Sequence, residues 1–384
     1  MARPMRPHPD PQFVADTVLA HLSARDGRAW SLTGPTRLMQ RAWSTLYFLS
    51  AADGQGQPNP LVVKIVQFPN QQRIETSWES DELLLRGRRE FESISRVYQH
   101  FAAATDRWIA APRPQAYLPS LNAVVVDFVV GLPLYPPYVS SRRLLFSQRA
   151  RREARTLMHR AGAWLRWFHR LSLSDMPLDR VFGPRHALDT LRQTAEWLRS
   201  AGVSVESWPR WQGTLDALRR VTVPLLVWTH GDFHQSNVLV SPEGRVFCLD
   251  TALERIDSPY YDLGKFVATL RTPRTRILSM GLLPPRRVVD GLVRAFLQGY
   301  FAGDPTDTLP LALYEGYFIF QKWQESIEAA HDALHGRSPL LCQIVCRGVI
   351  NPTFRGIVRH WMDSVAAADE ERRRRVKESR DGRR

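Results

Sequence analysis

Residues 229–240 read THGDFHQSNVLV. His230, Asp232, His234 and Asn237 are crowded into this stretch, with the apolar runs VPLLVW (223–228) before it and VLV (238–240) at its end. Such runs read as short strands, which places the polar cluster on the turn between them. As a metal loop it offers His230, Asp232 and His234 at alternating positions. A zinc centre needs three or four ligands, and no second cluster of His, Asp or Cys is evident to complete one. As a plain turn it would use Asp232 or Asn237 to bond its own backbone. That explains either residue singly but not their accumulation.

A third reading is phosphoryl transfer. His230, Asp232 and Asn237 fit the spacing H-x-D-x-x-x-x-N, in which the aspartate accepts the proton of an attacking hydroxyl and the asparagine holds Mg2+. That chemistry needs a second carboxylate on the metal, at the end of the next strand. Asp250 closes VFCLD (246–250) after the turn SPEGR (241–245) and stands at that place. Lys64 lies in LVVKIV (61–66), where Val62, Val63, Ile65 and Val66 leave no exposed-strand alternation. Alone it could be an edge-strand lysine reaching out to water. In the helical segment RREFESISRVYQHF (88–101), however, Phe91, Ile94, Val97, Tyr98 and Phe101 form one apolar arc, and Glu90 falls inside it while Glu92 faces away. A strand base and a helix acid aimed at the same core predict an ion pair, the arrangement that kinases use to hold nucleotide phosphates.

The rest of the chain falls into two halves. Residues 12–26 predict an amphipathic helix. WSTLYFLSA (43–51) and LVVKIV predict strands joined by the turn-rich AADGQGQPNP (51–60), and 79–104 a helix. AYLPSLNAVVVDFVVGLPL (116–134) reads as two more strands ending at a Gly-x-Pro turn. Beyond 142 the periodicity is helical, with one long helix expected over RRLLFSQRARREARTLMHRAGAWLRWFHRLSL and further helices at 188–202, 212–220, 262–272, 286–302, 310–335 and 339–366. VLV, SPEGR and VFCLD predict a hairpin. The expected organisation is an N-terminal extension (1–29), a β-rich lobe (30–132), a helical lobe (133–368) and a basic tail (369–384).

HGDFHQSNVLV, VFCLD and DSPYYDLGKF together resemble the aminoglycoside phosphotransferase and choline kinase superfamily. The resemblance covers about residues 30–330, and its central motif is the specific part. It implies an α+β, two-lobed protein-kinase-like fold, with a small β-rich N-lobe and a larger mainly helical C-lobe. It implies ATP and Mg2+ as cofactors, Asp232 as catalytic base, Asn237 and Asp250 as metal ligands, and Lys64 on the phosphates with Glu90 behind it. His230 and Asp262 would support the loop. VDFVVGLPL (126–134) resembles the hinge that meets adenine, so Phe128 and Val130 become nucleotide contacts, and FHRLSL (168–173) resembles the family's helix end. The phosphate loop departs from the family pattern: QRAWSTLYFL (40–49) has no glycine, leaving Ser44 and Thr45 to offer hydroxyls and amides. Gln235-Ser236 stands in place of Pro-Gly, Thr251 in place of an aromatic, and Asp257-Ser258-Pro259 in place of Gly-Asp-Pro. Alternatives are a pseudokinase scaffold that binds nucleotide without turnover, and an atypical protein kinase; the loop lacks the arginine of H-R-D, and D-F-G and A-P-E are missing.

The net charge of +14 favours anionic partners without choosing among them. An aminoglycoside pocket must hold a polycation, so a basic chain with no dense acidic run predicts a neutral or anionic acceptor instead, such as a sugar, a glycan intermediate or a lipid-linked saccharide. The segment ERRRRVKESRDGRR (371–384) has almost no apolar content, predicting disorder. It would allow peripheral contact with an anionic membrane face, each basic residue contributing about 1 kcal/mol. A nucleic-acid partner is not expected, for want of a stacking motif. No apolar run spans a bilayer and no signal peptide is evident. Cys248, Cys342 and Cys346 form no disulfide framework, and a cytoplasmic chain is expected, its three cysteines reduced and the last two packed in a helical core.

Overall fold

The computed structural model describes residues 9–41, 44–67, 80–140, 143–173, 181–223, 225–304, 307–334 and 338–381. The chain divides into two compact units, Met1–Gly131 with Ser241–Leu253, and Leu132–Val240 with Glu254–Arg384. The expected boundary at 132/133 therefore needs a second crossing, because the SPEGR turn and the strand after it belong with the first unit.

In the first unit, α1 (Pro11–Asp26) is followed by β1 (Ser31–Leu32), β2 (Arg37–Gln40), β3 (Ser44–Leu49), β4 (Ala51–Ala52), β5 (Leu61–Val66), α2 (Asp81–Ala102), β6 (Ile109–Ala110), β7 (Pro114–Leu118) and β8 (Ala123–Asp127). Five strands make an antiparallel sheet in the order β2-β3-β5-β8-β7. Side chains alternate across its faces. Tyr47, Leu49, Leu61, Val63, Ile65 and Val125 pack with Val14, Val18 and Leu22 of α1 in one core. The N-terminal helix is thus a structural wall of this unit rather than an extension. Lys64 is on the other face, paired across the sheet with Leu46 and Val124. The strand does alternate: Val62 and Lys64 are half-buried between fully buried neighbours, which the apolar run of sequence concealed.

Helix α2 starts at Ser80, whose hydroxyl caps Leu83 N–H. Gly87 lets it approach the β7–β8 turn: a Cβ there would lie 2.1 Å from Asn122 Oδ1. Asn122 Nδ2 in turn donates to Leu83 O (2.9 Å), and Tyr117 Oη donates to Leu84 O (2.9 Å). These contacts fix the helix one to two turns before Glu90. The strand β12 (Val246–Cys248) also belongs to this unit and pairs in parallel with β6.

The second unit holds β9 (Leu132–Pro133), α3 (Arg143–Phe146), α4 (Gln148–Phe168), α5 (Pro184–Ser200), α6 (Trp211–Leu218), β10 (Val227–Thr229), β11 (Val238–Val240), β13 (Arg255–Asp257), α7 (Tyr260–Arg271), α8 (Arg274–Leu278), α9 (Arg286–Phe301), α10 (Thr308–Leu334), α11 (Pro339–Val345) and α12 (Asn351–Asp381). The long helix expected after 142 is broken at Ser147, which caps Ala150 N–H and so starts α4 afresh. Trp211, Phe320, Trp323, Phe354 and Trp361 dominate its core. The tail expected to lack structure is helical to Asp381. Arg374 and Arg375 pair with Glu371, and Arg373 with Asp369, at i,i+3 and i,i+4 spacing, while Arg220 holds Asp369 with two 2.8 Å bonds. Charges alternating at helical spacing support a helix that composition alone argued against. No helix among the described residues is long and apolar enough to cross a membrane.

Helices α4 and α9 cross on glycine. A Cβ at Gly299 would lie 1.9 Å from His159 O, and one at Gly162 2.1 Å from Phe296 O. Both obstacles are backbone, so the helices must separate to admit a methyl. We expect Gly299→Ala to cost about 1–3 kcal/mol and to lower Tm by roughly 2–4 °C for each of them, read by calorimetry; an unchanged Tm would contradict this packing.

Candidate active site

In the first unit, the expected ion pair is present. Lys64 Nζ lies 2.7 Å from Glu90 Oε1 and 2.8 Å from Asp250 Oδ1. Burial pulls the ammonium toward neutrality, but the two carboxylates outweigh it and hold Lys64 charged, above the ordinary lysine range. Asp250 has φ +56°, a left-handed conformation that only a few non-glycine residues adopt. Held there just after β12, its side chain is more than half exposed. Backbone strain of this kind collects at functional sites. Ser93 Oγ on α2 accepts from Leu253 N–H (3.3 Å), tying the segment after Asp250 to the helix that carries Glu90.

In the second unit, the quoted stretch is a tight loop between β10 and β11. Gly231, at φ +78°, makes the reversal that L side chains resist. Asp262, wholly buried at the start of α7, accepts His230 N–H (2.7 Å) and Gly231 N–H (3.0 Å). His169 Nε2 lies 3.0 Å from the same carboxylate, and His169 Nδ1 2.8 Å from Tyr300 Oη. Phe233 is the loop's apolar anchor, fully buried against Trp164 (5.7 Å), Phe266 (5.2 Å) and Phe296 (6.3 Å). Gln235, which stands where proline is usual, is buried and donates to Phe266 O (2.8 Å). A side-chain bond there replaces the rigidity that a ring would supply.

Asp232 is held from three sides. Lys265 Nζ lies 2.7 Å from its Oδ1 and donates to Gly231 O (2.8 Å). His234 Nε2 lies 3.3 Å from Oδ2, and Asn237 Nδ2 donates to Oδ2 (2.9 Å) and to Asp232 O (3.0 Å). Burial would raise the carboxyl, but the bond from His234 and the charge of Lys265 outweigh it and keep Asp232 well below the ordinary carboxylate range. A carboxylate with a depressed folded pKa contributes stability above its unfolded value, about 4, and loses it as pH falls toward the folded one. We therefore expect kcat/KM to carry no limb from Asp232 between about pH 5 and 8. Lys265→Met should move the Asp232 titration up toward its unfolded value, visible in carboxyl NMR; an unmoved resonance would show that Lys265 does not control this group.

The amide nitrogen of Asn237 is committed to Asp232.

Three of the residues expected at the nucleotide have local partners in the structure. Thr45 is fully buried and its hydroxyl donates to Gln67 Oε1 (3.2 Å), while Ser44 is also buried. Both belong to β3, paired with Ile65 and Val66, and the Thr45 hydroxyl is spent within the first unit on Gln67. Phe128 spends its N–H on Pro60 O (2.8 Å) and sets its ring edge-on to Phe48. Val130 is exposed. Lys265, Phe233 and Tyr300 escaped the sequence reading, whereas His169 belongs to the FHRLSL helix end. The first lay within the quoted DSPYYDLGKF, three residues after Asp262 and so on nearly the same face of α7.

A family model described as the phosphotransferase enzyme family matches residues 42–311. No curated protein matches the chain in sequence. Among solved structures, a choline/ethanolamine kinase family protein from Mesorhizobium loti superposes with a TM-score of 0.50 at 15% identity, covering 93% of this chain and 99% of that one. A proposed aminoglycoside phosphotransferase from Ralstonia eutropha JMP134 gives 0.53 at 13% identity, covering 92% and 98%. A macrolide 2'-phosphotransferase from Brachybacterium faecium gives 0.47 at 16% identity, covering 87% and 98%.

Proposed function

This chain belongs to the phosphotransferase enzyme family, a kinase-type transferase acting on hydroxyl groups, and we propose that it moves the γ-phosphoryl group of ATP onto a hydroxyl of a small molecule. The observation that carries the reading is the setting of Asp232: half-exposed, and held by Lys265, His234 and Asn237. Phosphoryl transfer asks little covalent chemistry of the protein and much positioning. Asp232 would align the acceptor hydroxyl and take its proton as the bond to phosphorus forms. Lys64, kept cationic by Glu90 and Asp250, would bind phosphate oxygens, and the backbone near Val130 would meet the base. Asn237 and Asp250 would hold Mg2+, which when bound neutralises charge on the transferring group. His230 and Asp262 would hold the loop in register.

The acceptor would be neutral or anionic, in keeping with the net charge of +14. ATP consumption measured against pooled sugars, glycan precursors, amino alcohols and aminoglycosides, with Asp232→Asn as the blank, tests the proposal. Turnover with an aminoglycoside alone would overturn the acceptor class. A rise in Tm with ATP and Mg2+, but no phosphorylated acceptor in any pool, would favour a nucleotide-binding scaffold.

A further inference from the structure

We propose that His331, Cys342 and Cys346 form a transition-metal site, suited to Zn2+, at the junction of α10 and α11. One donor atom from each lies within 4.8 Å of the others, and no other group of His, Cys, Asp or Glu converges in this way among the described residues. The cysteines are one helical turn apart, so their sulfurs share a face. Residues 335–338 separate the two helices in sequence, and His331 on α10 lies against that face.

Chemistry favours a thiophilic ion. Two thiolates and an imidazole are the donors of Cys/His zinc centres, and they leave one tetrahedral position for water or a further ligand. With metal–sulfur bonds near 2.3 Å and metal–nitrogen bonds near 2.0 Å, donors in a tetrahedral site are roughly 3.5–3.8 Å apart. Closing from the observed spread takes about 1 Å, within reach of side-chain rotation. Both thiols are buried, while His331 is exposed and gives an ion a path from solvent. Cys346 also opens a π-helical turn, Cys346–Ile350, between α11 and α12. Such turns cost hydrogen-bond geometry and recur at functional positions. His335, four residues after His331, lies outside the described residues and is not counted among the ligands.

The site is remote from the loop chemistry. α10 packs on α7 through Tyr314, against which Gly264 is closely fitted. His331 is seventeen residues further along α10, roughly 25 Å at 1.5 Å per residue. An ion there would fasten the far end of α10 to the helices that follow it, a structural role. Binding exchanges two thiol protons for metal–sulfur bonds without any redox change, so affinity should fall as pH falls.

The full-length chain, reduced and stripped of metal, should take up one equivalent of Zn2+ in competition with a chromophoric chelator, with a rise in Tm because the ion binds the folded state. Co2+ in its place should give thiolate-to-metal charge-transfer absorption. Cys342→Ser and Cys346→Ser should each abolish that absorption. His331→Gln, at an exposed position that does not threaten folding, should weaken Zn2+ at least tenfold. Failure to bind a stoichiometric ion, or binding and absorption unchanged by all three substitutions, would overturn the assignment. Because neither readout uses phosphoryl transfer, the outcome is independent of the proposed kinase activity.

Discussion

Asp232→Asn should lower kcat by roughly 10²–10⁴-fold, or about 3–5.5 kcal/mol of transition-state stabilisation, while leaving the Kd of ATP with Mg2+ within about twofold. The substitution keeps the size and planarity of the side chain, and the amide oxygen it introduces can still accept from Lys265. What it removes is the negative charge and the capacity to take a proton. The loop should hold its shape because Asp262 fixes its backbone and Phe233 its core side, neither of which depends on Asp232. An unchanged kcat would remove Asp232 from the chemistry, and with it the reading of the loop.

The second large effect is expected at Asp250. Asp250→Asn should abolish the Mg2+ dependence of nucleotide binding and lower kcat/KM by roughly 10³-fold, about 4 kcal/mol. Asparagine is the informative replacement because it tolerates the left-handed backbone found here. Asp250→Ala should lose the same activity and stability as well, since alanine at this φ adds strain of order 1 kcal/mol. The two variants thus separate loss of a ligand from loss of a fold. Lys64 would keep Glu90 as partner in both, so nucleotide binding without metal should persist. If titration calorimetry showed the same Mg2+ enhancement in Asp250→Asn as in the parent, the metal assignment would fail.

Much of the site was legible from local pattern. Glu90 stood out because a helix arc has a fixed period, and an acid inside that arc must face the core. Lys64 stood out among β-branched neighbours, although its strand alternates more than the apolar run suggested. The burial of Thr45 was not legible, because the sequence does not tell which strand residues spend their hydroxyls internally; Gln67, which takes that bond, is twenty-two positions away. The tail was misread through composition, where the spacing of Glu371 from Arg374 and Arg375 carried the contrary signal.

By itself the sequence determined the α+β class, the loop from His230 to Asn237 and the pairing of Lys64 with Glu90, because each rests on periodicities of two or 3.6 residues or on a short fixed spacing. Only the tertiary structure decided that Asp250 completes the charge set around Lys64, that Lys265 and His234 close on Asp232, and that His331 meets Cys342 and Cys346. Those contacts join residues on separate elements or across turns. Their energy depends on distance and burial, and chain order specifies neither.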